Sequence, residues 1–98
     1  MTYLDVLAAR IEQLIPVELI PAEDIKSLFR LYAVLALAKG TAVEAADVHN
    51  TWAAWMQERN PQHRSIKPFD ELDEETKAFA EPFVQAIRAV AGQPAGEE

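Results

Sequence analysis

Residues 22–39 read AEDIKSLFRLYAVLALAK, and this stretch decides the fold. Ile25, Leu28, Phe29, Tyr32, Leu35 and Ala36 recur at the three- and four-residue spacing that lines one side of an α-helix. Leu31, Val34 and Leu37 fill the remaining directions, so from Leu31 onward the helix is apolar almost all round. Such a helix belongs at the buried centre of a bundle. Its ends carry signals as well. Pro21, Glu23 and Asp24 suit a first turn, and Gly40 suits the position just past the last one.

Three further patterns flank this helix. Upstream, Leu4, Leu7, Ala8, Ile11, Leu14 and Ile15 make one apolar stripe, with Thr2 and Asp5 placed to cap it and Pro16 to stop it. The connector that follows (IPVELIP, residues 15–21) is apolar and bracketed by prolines, and is expected to pack under the bundle rather than serve as a docking segment. Downstream, residues 45–59 place Val48, Trp52, Trp55, Met56 and Arg59 on one helical face. Thr41 and Glu44 have capping-box spacing, which allows that helix to begin as early as Ala42. Phe69 and Leu72 read as anchors of a turn. Asp73 then caps a last helix whose stripe is Phe79, Phe83, Ala86, Ile87 and Val90, with Pro82 expected to kink it or to divide it into 74–80 and 82–91. No stretch alternates in the manner of a strand. The expectation is an all-α, compact four-to-five-helix bundle around a central buried helix, one domain over residues 1–92 with a disordered tail at 93–98.

Composition narrows the function. The chain has 98 residues, no cysteine, 16 acids against 9 bases and a net charge of −7. Without cysteine there is no disulfide scaffold and no Cys-ligated metal, and the acidity argues against a partner such as double-stranded nucleic acid or an anionic membrane. The longest unbroken apolar run, residues 31–38, is far short of the roughly 20 residues a membrane span needs. The charge is unevenly spread: residues 1–67 carry −1 and residues 68–98 carry −6. Between these parts lies a loop, RNPQHRSIK at 59–67, that holds three cations, one histidine and no acid.

Catalytic motifs are missing. His49 and His63 are separated by 14 residues, which matches no metal-ligand spacing, and no nucleophile elbow, phosphate loop or positioned carboxylate pair occurs. A non-enzymatic module with no cofactor and no metal is expected. Trp52 and Trp55 admit two readings, as core or as an aromatic platform for a ligand ring. With Arg59, His63, Arg64 and Lys67 following them, the platform reading predicts a small anionic, nucleotide-like ligand. The rival is a protein-interaction module, acting through the acids Asp70, Glu71, Asp73, Glu74 and Glu75 or as a homo-oligomer through an apolar helix face.

The segment Val48-His49-Asn50-Thr51-Trp52-Ala53 resembles the His-Asn-x-Trp-Ala signature of the ryanodine-receptor repeat (RyR) domain. His63-Arg64-Ser65-Ile66, Pro68-Phe69, Leu72, Glu74 and Lys77 follow in the order of that family's second block, so the resemblance covers residues 45–91. The family's Gly-Trp-x-Tyr-Gly segment is missing, and its His-Pro pair is His63-Arg64 here. The resemblance implies a helical, non-catalytic module that senses nucleotide-derived ligands, with His49, Asn50, Trp52, His63 and Lys77 as the matched positions. Phe29 to Leu35 feeding Val48-His49-Asn50-x-Trp52 is also similar to small proteins of actinobacteria and their phages. That similarity implies an accessory protein of a bacterium or phage. The start of the chain, Met1-Thr2-Tyr3-Leu4-Asp5, has no basic run of a secretory signal, so a cytoplasmic location is expected, in the host cytoplasm if phage-encoded.

Overall fold

A computed structural model describes residues 2–20 and 25–92. Five helices run in the order α1 (Tyr3–Gln13), α2 (Ile25–Lys39), α3 (Ala45–Arg59), α4 (Glu74–Ala78) and α5 (Glu81–Ala91), and no strand occurs among the described residues. The fold is an all-α bundle. The start expected for α2 at residues 22–24 and the tail at 93–98 lie outside the described residues.

Local chemistry sets most of the boundaries. Thr2 Oγ1 accepts from the Asp5 amide at 3.3 Å while Asp5 Oδ2 accepts from the Thr2 amide at 3.1 Å, the reciprocal box expected at the start of α1. Gly40 takes φ +60°, the left-handed conformation that ends α2 and that a side chain would strain. Asp73 Oδ1 accepts from the Thr76 amide at 2.8 Å and caps α4. Pro82 falls in the first turn of α5, so the last stripe divides where the proline requires. The third helix starts at the expected Ala45 and not as early as Ala42. The segment from Gly40 to Ala42 is a separate 3₁₀ turn, and α3 begins at Ala45 with Asp47 reaching back to the Glu44 amide at 2.8 Å. Asp47 offers the same reach from one turn further on, and it also takes Lys39 at 3.2 Å, which Glu44 does not.

α2 packs against α1, α3 and α5, and α5 packs in turn against α1 and α3. Ile11, Leu28, Phe29, Tyr32, Ala33, Val43 and Ile87 are sealed in one core with Val48, Trp55 and Phe83. Arg88 Nε donates to the Val43 carbonyl at 2.7 Å and ties α5 to the approach to α3. The connector packs as expected through Ile15, Leu19 and Ile20, but Val17 faces outward.

Two apolar stripes depart from expectation. α2 is central without being covered all round: Leu31 is 39%, Val34 47% and Leu37 58% exposed. The neighbours occupy the side bearing Leu28, Phe29, Tyr32, Ala33 and Ala36, and no described element covers the opposite side. Phe79, placed by sequence on the α5 stripe, is 57% exposed, because the break before Pro82 puts it at the C-cap of α4 instead.

Candidate functional site

One turn of α3 decides where the two tryptophans go. Trp55 is 3% exposed, and its Nε1–H donates to Ser27 Oγ of α2 at 2.9 Å. Arg59 lies over the Trp55 ring at 4.2 Å and donates to the Trp55 carbonyl at 3.0 Å and to Ser27 Oγ at 2.8 Å. Trp55 is therefore core, closed by a cation and two hydrogen bonds. Arg59 is brought to Trp55 and Ser27 rather than to the cationic loop.

Trp52 is half-buried and lies one turn earlier on the helix. The His49 ring stacks on it at 5.7 Å, and His63 meets it edge-on at 5.1 Å. The histidine protons are assigned by their partners. His49 Nε2–H donates to the Lys67 carbonyl at 2.7 Å, a group that can only accept. His63 Nδ1 accepts from the Ser65 amide at 3.1 Å, which leaves the proton on Nε2. The first bond holds the 60–68 loop against α3, and the second lies within the loop.

Trp52, His49 and His63 form one wall of a cavity of about 190 Å³. The buried Leu28, Tyr32 and Val48 line it from α2 and α3, Leu19 from the connector, and Phe79, Ala80 and Phe83 from the α4–α5 junction and α5, while Ser65 and Thr76 supply hydroxyls. Phe79 and Phe83 stack at 6.4 Å. Beside the cavity lies a polar hollow of about 330 Å³ lined by Arg64, Ser65, Lys67, Leu72, Asp73 and Thr76. Ser65 and Thr76 belong to both, so the aromatic cavity and the cationic hollow adjoin at a hydroxyl-bearing rim.

The hollow carries two cations and one carboxylate. Asp73 is engaged: the hydroxyl and amide of Thr76 hold its carboxyl below the usual carboxylate range, and Lys67 and Arg64 pull it in the same direction from further off. None of the ion pairs among the described residues involves Arg64 or Lys67. The local balance is thus one net positive charge facing a rim of hydroxyls, suited to one anionic group.

The remaining sequence candidates fall outside this arrangement. Asn50 is exposed on α3 and lines neither space. Asp70, Glu71, Glu74 and Glu75 are exposed around the start of α4, and Glu74 pairs with Lys77 at 3.6 Å. Lys77 also lies over the Phe69 ring at 5.6 Å. Among the described residues no group of three or more His, Asp or Glu side chains is placed to hold a metal, and no helix is long and apolar enough to cross a membrane. Sequence reasoning misses Tyr32, Phe79, Ser65 and Thr76 as lining residues. The periodicity assigns Tyr32 and Phe79 to core stripes, and nothing in the spacing of Ser65 and Thr76 points to a shared rim.

The chain belongs to the family described as a domain of unknown function, DUF7701, which matches residues 2–92. Neither a curated protein nor a solved structure matches it.

Proposed function

We propose that this chain is a non-enzymatic binding domain for a small ring bearing one anionic group, nucleotide-like in that sense. The observation that carries this reading is the shared rim: an aromatic cavity and a hollow with one net positive charge meet at Ser65 and Thr76. At about 190 Å³ the cavity is below the roughly 300–1,000 Å³ of pockets that enclose drug-sized ligands, so it takes a single ring or base and leaves the rest over the hollow. Binding without turnover is supported by the histidines, each with one ring nitrogen committed to a backbone group. Lack of cysteine in the sequence supports a cytoplasmic location, and the resemblance to small proteins of actinobacteria and their phages supports an accessory role there.

A thermal-shift panel of nucleotides and aromatic acids tests the reading. A ligand present at a hundred times its Kd adds about 2.7 kcal/mol to stability. The expected result is stabilisation by ring-bearing anions, lost on replacing both Arg64 and Lys67 by Ala. A panel with no stabilising ligand overturns it.

One observation favours a second reading, self-association through α2. Leu31, Val34 and Leu37 form an uncovered apolar stripe within residues 31–38, which carry no charge in a chain of −7. The stripe is bounded by Arg30, paired with Asp5 at 2.6 Å, and Lys39, paired with Asp47 at 3.2 Å, so two copies can meet there without opposing acids. Light scattering across concentration reads this directly. A dimer that Val34→Lys converts to monomer supports it, and a monomer at every concentration removes it. The acids at 70–75 have no comparable feature, since Asp73 serves as a cap and Glu74 pairs within its own helix.

A further inference from the structure

Tyr32 lies in the middle of α2 with 2% of its surface exposed, edge-on to Phe29 at 5.5 Å and tilted against Phe83 at 5.8 Å. The ring is ordinary core. The hydroxyl is different. No described residue hydrogen-bonds to it, although buried polar groups in folded chains nearly always have a partner. Nor is it sealed away, since among the described residues no side-chain oxygen or nitrogen is both shut off from water and unpaired. Tyr32 is a lining residue of the aromatic cavity, which is the described space onto which a hydroxyl with no described partner can open. Burial without an opposing hydrogen bond pushes its pKa above the usual phenol value, so at neutral pH the group keeps its proton.

We propose that the Tyr32 hydroxyl is the inner anchor of the ligand, a hydrogen-bond donor that selects rings with an acceptor at the end remote from their anionic group. This rests on the reading of cavity and hollow as one site, and it narrows the ligand class. The anion sits toward Arg64 and Lys67, beyond the Ser65–Thr76 rim. The ring passes between Trp52 and the Phe79–Phe83 side, and its far end reaches the wall formed by Leu28, Tyr32 and Val48. On that wall Leu28 and Val48 offer only hydrocarbon. A ring nitrogen or ring carbonyl arriving there satisfies the phenol, whereas an all-carbon ring displaces water and leaves it unpaired. The expected ligands are heteroaromatic or carbonyl-bearing six-membered rings with one carboxylate or phosphate, rather than plain aryl acids.

Isonicotinate, nicotinate and benzoate share one size and one charge and differ in the ring nitrogen. Their affinities for the full chain at neutral pH are measured by NMR titration of isotope-labelled protein. Wild type is expected to prefer a pyridine acid over benzoate by about three- to tenfold, the range of one net hydrogen bond. Tyr32→Phe should abolish that preference, keep the benzoate affinity, and leave the melting midpoint unchanged because the hydroxyl has no protein partner to lose. Arg64→Ala should weaken all three ligands in proportion and preserve the preference. Equal binding of the three acids to wild type, a preference that survives Tyr32→Phe, or a Tyr32→Phe chain that melts early or fails to fold overturns the anchor. If the acids bind equally and Arg64→Ala still weakens them, the anchor falls and the binding site stands. If none of the three binds, both fall.

Discussion

Successive turns of α3 face two regions built on opposite principles. Around Trp55, polar groups are met at close range: indole by Ser27, guanidinium by ring, carbonyl and hydroxyl. Around Trp52, aromatic groups surround a void, the Tyr32 hydroxyl has no described partner, and Arg64 and Lys67 sit beside a carboxylate already held by Thr76. A region whose polar groups are satisfied contributes stability and has nothing left to offer a ligand. A region that leaves them unsatisfied forgoes stability and keeps binding capacity. Two tryptophans three residues apart, alike in sequence, therefore have different duties.

Truncation gives the largest separation between them. Trp55→Ala removes a fully packed indole and should cost about 3–5 kcal/mol, seen as a large fall in the urea midpoint. Trp52→Ala removes a half-buried ring that already borders a void and should cost about 1–2 kcal/mol while abolishing ring binding. Equal losses would mean that the Trp52 region is packed as tightly as the other, and the contrast would fail. Ser27→Ala is smaller again. It takes the acceptor from the buried Trp55 Nε1–H and should cost about 1 kcal/mol, with no effect on ligand affinity.

How far the sequence reveals these regions depends on the range of the interaction. Thr2 with Asp5, Gly40, Asp73 and Pro82 act within three or four residues, and each is legible in the order of residues alone. Arg59 reaches Ser27 across 32 positions, so its charge suggests the loop beside it while its geometry chooses α2. The α2 stripe is unreadable for another reason. A helix apolar on every side does not say which side its neighbours will take, and here they leave Leu31, Val34 and Leu37 uncovered. Phe79 defeats the periodicity because a continuous stripe runs across a break that Pro82 itself announces. Of the site, His49, Trp52, His63, Arg64 and Lys67 are legible as a cluster. The phenol is not, because an unmet hydroxyl is a property of neighbours rather than of spacing.

The smallest expected effect compares the carboxylate of the hollow with one on α1 that has a direct cationic partner. Asp5 is held at about 2, against an ordinary 3.8, first by the Thr2 amide and then by the Arg30 guanidinium at 2.6 Å. Asp73 is also lowered, first by Thr76, with Lys67 and Arg64 acting only through space. A folded-state pKa below the unfolded one gives stability that is complete above about 3.8 and lost as pH falls through the lower value, so both groups contribute to loss of stability in acid. Carboxyl NMR titrations distinguish a direct partner from a distant one. Arg30→Ala should raise the Asp5 pKa clearly, whereas replacing both Arg64 and Lys67 by Ala should raise that of Asp73 by less. If the double replacement moves Asp73 as far as Arg30→Ala moves Asp5, the two cations are closed onto their own acid in solution. The hollow would then be a salt bridge like the one at Asp5, with no charge left for a ligand.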